Sequence, residues 1–349
     1  MGFSRYDPDM LHELSERPRI LLIGADGQLG WELRRTASPL GDVIATVEND
    51  SRRRNVSGEL LDLSDHGAIR RVVADVKPHV ILNAAAFTDI DQTERESAVA
   101  TAINGVAPGL LAREASRYEA LLVHYSTDNV FDGELDRPYR PSDSPRPANT
   151  YGATKLQGEE AIRAIGGPHY ILRTSWLYGA RGNNFLMTML DLVDAGRPIS
   201  VVSDQFGAPT WTRSVAAATV QILALARVAG AAWMRERFGT YHMTAGGRCS
   251  WYEFAAAILD RYRDGEHELT PQSTSSFPAS AGRPANGVLD CTDIRRAFGI
   301  VLDDWRTSLE RVMEEVLETR GRAAGAAGLM RTGSGTGARV RRRAGRARG

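Results

Sequence analysis

The stretch Arg19-Ile-Leu-Leu-Ile-Gly-Ala-Asp-Gly-Gln-Leu-Gly30 decides how the rest of the chain is read. It opens with an apolar run closed by glycine, the pattern of a short buried strand. Gln28 to Thr36 follow with Leu29 and Leu33 at helical spacing. Gly24, Gly27 and Gly30 therefore fall in a tight strand-to-helix turn, where backbone N–H groups can approach a pyrophosphate at the helix N-terminus. Three glycines say little alone. At the head of a strand–helix series they point to a dinucleotide site.

The series continues. Asp42–Val47, Val80–Asn83, Ala120–Ser126 and His169–Thr174 read as further buried strands. His66–Val76, Ala98–Ala115 and Thr150–Ile165 read as the helices between them, with Thr150 as the cap of the last. Apolar strands alternating with helices imply an α/β fold, a doubly wound Rossmann-type parallel sheet covered on both faces. That domain is assigned to residues 19–175, with ligands expected beyond the carboxyl ends of the strands. Past Ser175 the rhythm weakens. Helices are expected at Phe185–Ala195, Val215–Val228, Trp251–Tyr262 and Trp305–Glu318, and residues 176–319 read as a smaller C-terminal substrate-binding lobe. Residues 1–18 read as a polar N-terminal extension.

The chain has 349 residues, 42% hydrophobic and 25% charged, the composition of a soluble globular enzyme. No apolar run approaches the roughly 20 residues of a membrane span. The N-terminus lacks the apolar core of a signal peptide, so a cytoplasmic protein without membrane attachment is expected. Cys249 and Cys291 are far apart and read as free thiols, without a zinc site or disulfide framework. The net charge of zero hides an asymmetry. Nine of the 43 basic residues lie in 320–349, leaving 34 basic against 43 acidic groups elsewhere. That Arg/Gly/Ala-rich tail has little to bury and is expected to be disordered. A basic tail can touch nucleic acid, but nothing in the chain requires such a partner.

The chemistry is carried by Asn149-Thr-Tyr-Gly-Ala-Thr-Lys-Leu-Gln-Gly-Glu159. Tyr151 and Lys155 are one helical turn apart and share a face. A cation beside a phenol favours the phenolate, so Tyr151 is the candidate proton donor and Lys155 the group that keeps it acidic. The same spacing occurs on solvated helix faces. Here the pair follows both the glycine turn and Thr127, a hydroxyl at the end of the fourth strand that can donate to a developing oxyanion. Asp62 and Leu63 are placed to meet an adenine, and Ala84, Ala85 and Ala86 would let a cofactor lie against backbone. Asn104 either holds a water that feeds Lys155 or is an ordinary polar helix residue. Arg283 is a candidate fork for a pyrophosphate, or a surface arginine.

With these pieces in order the chain resembles the extended short-chain dehydrogenases/reductases, and within them the dTDP-4-dehydrorhamnose reductase family. The resemblance runs from about Arg19 to about Glu318. It rests on 24–33, Asn-Ala-Ala-Ala-Phe-Thr-Asp-Ile-Asp (83–91), Tyr-Ser-Thr-Asp-Asn-Val-Phe-Asp-Gly (125–133) and Tyr-Gly-Ala-Thr-Lys (151–155). Arg-Thr-Ser-Trp-Leu-Tyr-Gly (173–179), Gly-Asn-Asn-Phe (182–185) and Asp-Gln-Phe-Gly-Ala-Pro-Thr (204–210) complete it. It implies reduction of the C4 ketone of dTDP-4-dehydro-L-rhamnose, with Thr127, Tyr151 and Lys155 catalytic. It places Gln28, Leu29, Phe87 and Tyr125 at the cofactor, and Thr88, Asp128 and Trp176 at the sugar nucleotide. Some relatives join subunits through Mg²⁺ and glutamates. Glu32 is suitably placed, but Pro198 stands where another ligand is expected, so no metal is predicted and a homodimer is left open. Two rivals share the superfamily: a nucleotide-sugar epimerase and a non-catalytic NADP-binding regulatory subunit. Asn129, where dehydratases carry a glutamate, argues against elimination.

The second strand ends at Val47-Glu48-Asn49-Asp50, where an acidic residue would bind ribose hydroxyls, and Arg52, Arg53 and Arg54 beside it would accept a 2′-phosphate, which tips the reading to NADPH with NADH as the alternative. Paired assays with the two cosubstrates are expected to give higher kcat/KM with NADPH. Equal or better efficiency with NADH would overturn that preference.

Overall fold

In the computed structural model the described residues are 17–48, 58–262, 268–276 and 281–332. The central element is a seven-stranded parallel sheet. In chain order its strands are β1 (Arg19–Ile23), β2 (Asp42–Val47), β3 (Glu59–Leu60), β4 (Val80–Asn83), β5 (Leu121–Thr127) and β6 (His169–Thr174). The seventh, Gly239–His242, is added far later in the chain. Spatially the sheet runs Gly239–His242, β6, β5, β4, β1, β2, β3, so the order reverses beside β1. That reversal opens the crevice in which a doubly wound sheet binds ligands.

Both faces of β1 are buried. Ile20 and Leu22 pack in one core with Leu29 and Leu33 of α1 (Gln28–Thr36). Leu21 and Ile23 point the other way, with Ile69 and Val73 of α2 (His66–Val76). Burial on both sides is why the strand reads as an uninterrupted apolar run.

The segment between β4 and β5 departs from the expected single helix over 98–115. It is α3 (Ile90–Arg95), α4 (Ser97–Ala100), a π-helical turn (Thr101–Val106) and α5 (Ala107–Arg117). The helix after β5 is α6 (Thr150–Ile165), but its cap is Asn149 rather than Thr150. Asn149 is extended, and its Oδ1 accepts from Gly152 N at 2.7 Å. Thr150 lies inside the helix, where Glu94 of α3 accepts from both its N–H (2.8 Å) and its hydroxyl (2.6 Å).

Past β6 the chain does not stay in one lobe. It forms β7 (Leu177–Tyr178), α7 (Phe185–Asp194), β8 (Ile199–Val202), β9 (Phe206–Gly207) and β10 (Thr210–Trp211). It then returns to the sheet through α8 (Thr212–Arg235) and β11 (Gly239–His242). β11 pairs with β6, and Val215, Ile222 and Leu223 of α8 share the core of β1 and α1. The reading of 176–319 as the lobe is corrected to that extent. α8 is also long and apolar enough, by length and composition, to cross a membrane, which the sequence reading did not register. Its apolar face is spent on the sheet. The chain leaves again as β12 (Cys249–Ser250), α9 (Trp251–Leu259), β13 (Leu269–Gln272), α10 (Thr292–Phe298) and α11 (Trp305–Thr332). Leu186 and Leu190 of α7, Phe254 and Ile258 of α9 and Trp305 and Leu309 of α11 form the lobe's own core.

The C-terminal helix continues to Thr332, into the segment expected to be disordered. Alanine and arginine are strong helix formers, so little hydrophobicity does not exclude a helix there. Arg320 secures its described side, binding Asp191 of α7 at 2.7 Å. Residues 333–349 lie outside the described residues, as do 1–16 of the N-terminal extension.

α6 approaches its neighbours at two glycines. A Cβ on Gly152 would lie 2.0 Å from Asn129 O, and one on Gly158 would lie 2.2 Å from Asn104 O. Backbone carbonyls cannot yield as a flexible side chain can. Gly158→Ala is expected to destabilise the chain by about 2 kcal/mol or more, read by urea denaturation. A change under about 0.5 kcal/mol, the scale of a neutral surface substitution, would show that the helix is not held this closely.

Candidate active site

The carboxyl ends of β1, β4, β5 and β6 open on a cleft of about 1040 Å³ that reaches into the lobe. The β1–α1 turn forms one end. Gly24 has φ +80°, and a Cβ there would meet Ala85 N at 2.8 Å, so this position needs glycine both for its backbone and for the approach of the next strand. α1 starts at Gly27 with no side-chain cap and no acidic residue in its first turn. Its leading N–H groups are thus left for an anion, whereas α2 is capped by Asp65 and α6 by Asn149.

Gly24, Gly27, Gln28, Leu29, Asp62, Leu63, Ala84, Ala85, Ala86 and Phe87 all line the cleft. Gly30 does not. A Cβ there would fall 1.9 Å from Gly24 O, so this glycine packs the helix against the turn. Gln28 does more than line the site, since Nε2 donates to Asn183 O (3.1 Å) and Oε1 accepts from Asn184 Nδ2 (3.0 Å). It ties the turn to the loop that leads into α7. Glu48 is on the cleft wall; Arg52, Arg53 and Arg54 lie outside the described residues.

Thr127, Asp128, Tyr151 and Lys155 come together at the end of β5 and the first turns of α6. Thr127 Oγ1 donates to Asp128 Oδ1 at 3.0 Å and accepts from Asn129 N at 3.1 Å. Ser175 Oγ donates to Asp128 Oδ2 at 3.0 Å. Asn129 also donates to both neighbours, and its Oδ1 accepts from Asn149 Nδ2 at 3.0 Å, which locks the strand end to the cap of α6.

Burial dominates the electrostatics. It pushes the Asp128 carboxyl up to about 6 against hydrogen bonds from Thr127, Ser175, Asn129 and its own backbone that favour the carboxylate. It pushes the Tyr151 phenol up to about 12, with the Thr127 hydroxyl working downward and the Asp128 carboxylate upward. The expected acidification by Lys155 is therefore not what these surroundings impose. Lys155 Nζ donates to Tyr125 O (2.7 Å) and lies 3.2 Å from His124 Nε2. Burial lowers Lys155 to about 8, opposed by Glu159 one turn further along α6. Glu159 is itself buried, accepting from Arg173 at 2.7 and 2.9 Å and from Ser126 at 2.6 Å.

Several placements differ from the sequence reading. The Tyr125 ring turns away to donate to Thr219 of α8 at 2.9 Å, so its carbonyl is what meets Lys155. Asn104 sits in the π turn and clasps the Phe87 backbone, its Oδ1 accepting from the N–H and its Nδ2 donating to the carbonyl, both at 2.9 Å. Those contacts engage the amide with protein groups. Thr88, Trp176 and Arg283 also line the cleft. Trp176 has φ +47° and stacks on Trp251, with centroids 3.5 Å apart and planes 8° apart, so one face is covered. Arg283 is paired with Asp91 at 2.8 Å. Glu32 is engaged by Arg213 at 3.1 Å. The sequence reading missed His124, Glu159 and Trp251. The first was marked by a polar residue inside an otherwise apolar strand, and the second by continuing the Tyr151–Lys155 spacing.

The family profile described as the RmlD substrate binding domain matches residues 18–318. The chain is 42% identical over 312 residues to the dTDP-4-dehydrorhamnose reductase of Burkholderia thailandensis, covering 86% of this chain and 99% of that protein. It is 36% identical over 305 residues to the enzyme of that name from Escherichia coli K12, covering 86% and 98%. Among solved structures, dTDP-4-dehydrorhamnose reductase (RfbD) from Bacillus anthracis in complex with NADP superposes with a TM-score of 0.76 at 33% identity. That match covers 86% of this chain and 99% of the other.

Because Asp128 is held above its usual range, the folded chain favours its protonated form. Its contribution is least unfavourable below about pH 4 and worsens as the pH rises toward 6, by about 3 kcal/mol at full ionisation. Asp128→Asn is expected to raise the thermal midpoint relative to the parent chain at pH 8 and to gain much less at pH 4. An equal difference at both pH values would contradict the buried-carboxylate account.

Proposed function

The chain belongs to the dTDP-4-dehydrorhamnose reductase family, and from that premise we propose that it reduces the C4 ketone of dTDP-4-dehydro-L-rhamnose to dTDP-L-rhamnose. The observation that carries the proposal is the placement of Thr127, Tyr151 and Lys155 on one cleft with an uncapped, glycine-led helix start at its far end. The cofactor is taken to be NADPH, with NADH as the alternative. When bound, it supplies the hydride that reduces the ketone carbon.

The backbone of Gly24–Gly27 and the first N–H groups of α1 suit its pyrophosphate. Asp62 and Leu63 border the adenine end and Ala84–Phe87 the middle, while Lys155 is left for the nicotinamide ribose. As charge grows on the sugar O4, Thr127 rotates its hydroxyl from Asp128 to that oxygen. Tyr151 gives up its proton to the same atom. A phenol held at about 12 is fully protonated at neutral pH, which suits a donor in the direction of reduction. Trp176, Thr88 and Asp128 contact the sugar. Arg283 meets the nucleotide pyrophosphate while Asp91 holds its other side. The reading puts this chemistry in the cytoplasm, with the nucleotide sugar as the small-molecule partner and no metal in the reaction.

Supplied with dTDP-4-dehydro-L-rhamnose, the purified chain is expected to consume NADPH in step with product. An epimerase would not, and a regulatory subunit would bind NADPH without turnover. Tyr151→Phe is expected to keep cofactor binding and to lower kcat by ~10²-fold or more. Turnover near that of the parent chain would remove Tyr151 as donor.

A further inference from the structure

His124 lies on β5, directly opposite Asn83 in the parallel register of β4 and β5. It is 1% exposed, in a strand whose residues are all buried. Its Nε2 is 3.2 Å from Lys155 Nζ, and its Nδ1 is 3.0 Å from Asn83 Nδ2. Nothing in the proposed mechanism uses it.

With Lys155 as the ammonium, its predominant form at pH 7, the donors and acceptors fix the arrangement. An ammonium carries only donors, so the imidazole nitrogen facing Lys155 has to be bare. Burial, and then the Lys155 charge, hold His124 well below its usual range, so the ring is neutral and its single proton sits on Nδ1. That proton needs an acceptor, and the Asn83 oxygen meets it when the amide presents that end. With the amide nitrogen toward the ring, the imidazole proton would be forced onto Nε2 against the ammonium. The oxygen and nitrogen of an amide are assigned by such networks.

We infer that His124 is a positioning residue for Lys155: anchored through Nδ1–H on Asn83, it accepts one ammonium proton on its bare Nε2. The inference rests on the site assignment of Lys155 made above. Lys155 has three protons to give. Tyr125 O takes one and His124 a second, so the third is aimed at the cleft that Lys155 lines. A pair of aliphatic residues at 83 and 124 would fill two buried strand positions without the desolvation of two polar groups. Keeping the polar pair fixes where the ammonium stands.

Nitrogen-15 spectroscopy of the full chain tests the arrangement independently of activity. At pH 7 His124, identified by its loss in a His124→Gln variant, is expected as the Nδ1–H tautomer. The Nε2–H tautomer overturns the inference. In kinetics, His124→Met is expected to lower kcat at least about tenfold, as a displaced catalytic group does, in a chain that still folds. His124→Gln, whose side-chain carbonyl can accept the same proton, is expected to recover most of that loss. A Met variant as active as the parent chain, or a Gln variant no better than Met, overturns the inference, and if Met does not fold the tautomer decides. Lys155→Met separates the claims. Full activity there removes Lys155 from the site, whereas an inactive Lys155→Met beside an active His124→Met sinks only the role of His124.

Discussion

The close approach of α6 to the end of β5 is the constraint on which the site depends. Gly152 lets the first turn of the helix rest on Asn129, and Gly158 lets its third turn rest on the π turn. Asn149 closes the contact by capping the helix while donating to Asn129 and to Gly282 O at 2.8 Å. Thr127 and Tyr151 come from elements that meet only because these backbones nearly touch. The π turn belongs to the same contact. Its Asn104 holds the Phe87 backbone and donates to Thr154 of α6 at 3.3 Å, so the Phe87 loop is tied to α6. A single π turn inserted in α-helix is frequent at functional sites for this kind of realignment.

Desolvation, rather than pairwise charge, sets the chemistry of the pocket. Tyr151, Asp128 and Lys155 are each displaced first by burial, and in each case toward the neutral form. The site therefore starts with a proton on the phenol, which a reductase needs. Glu159 behaves differently, since Arg173 and Ser126 outweigh burial and keep the carboxyl below its ordinary range. Truncating either partner of that pair would strand a buried charge, a large destabilisation. It forms a floor beneath Lys155 and draws the helix onto β6.

The legible part of this architecture was whatever a strand or helix imposes locally. β1 and β4 were readable because a strand buried on both faces is a contiguous apolar run. β11 was not, because Gly239-Thr-Tyr-His gains its identity only from pairing with β6. The π turn has no periodic signal, and the cap at Asn149 was displaced by one residue toward an equally suitable Thr150. In the site, residue identity and order pointed to Thr127, Tyr151 and Lys155. Sequence spacing could not show that Lys155 would turn to Tyr125 O and His124, nor that Asp128 would sit close enough to oppose ionisation of the phenol. Trp176 and Trp251 are 75 positions apart and stack only through the fold of the lobe.

In the proposed reaction Tyr151 and Thr127 address the same oxygen of the sugar. A crystal structure of the chain with NADP⁺ and dTDP-L-rhamnose tests it most directly. The account predicts Tyr151 Oη and Thr127 Oγ1 both within about 3.2 Å of the sugar O4, hydrogen-bond reach for a proton donor. An O4 held by other groups, with the Tyr151 ring directed away from it, would contradict the account.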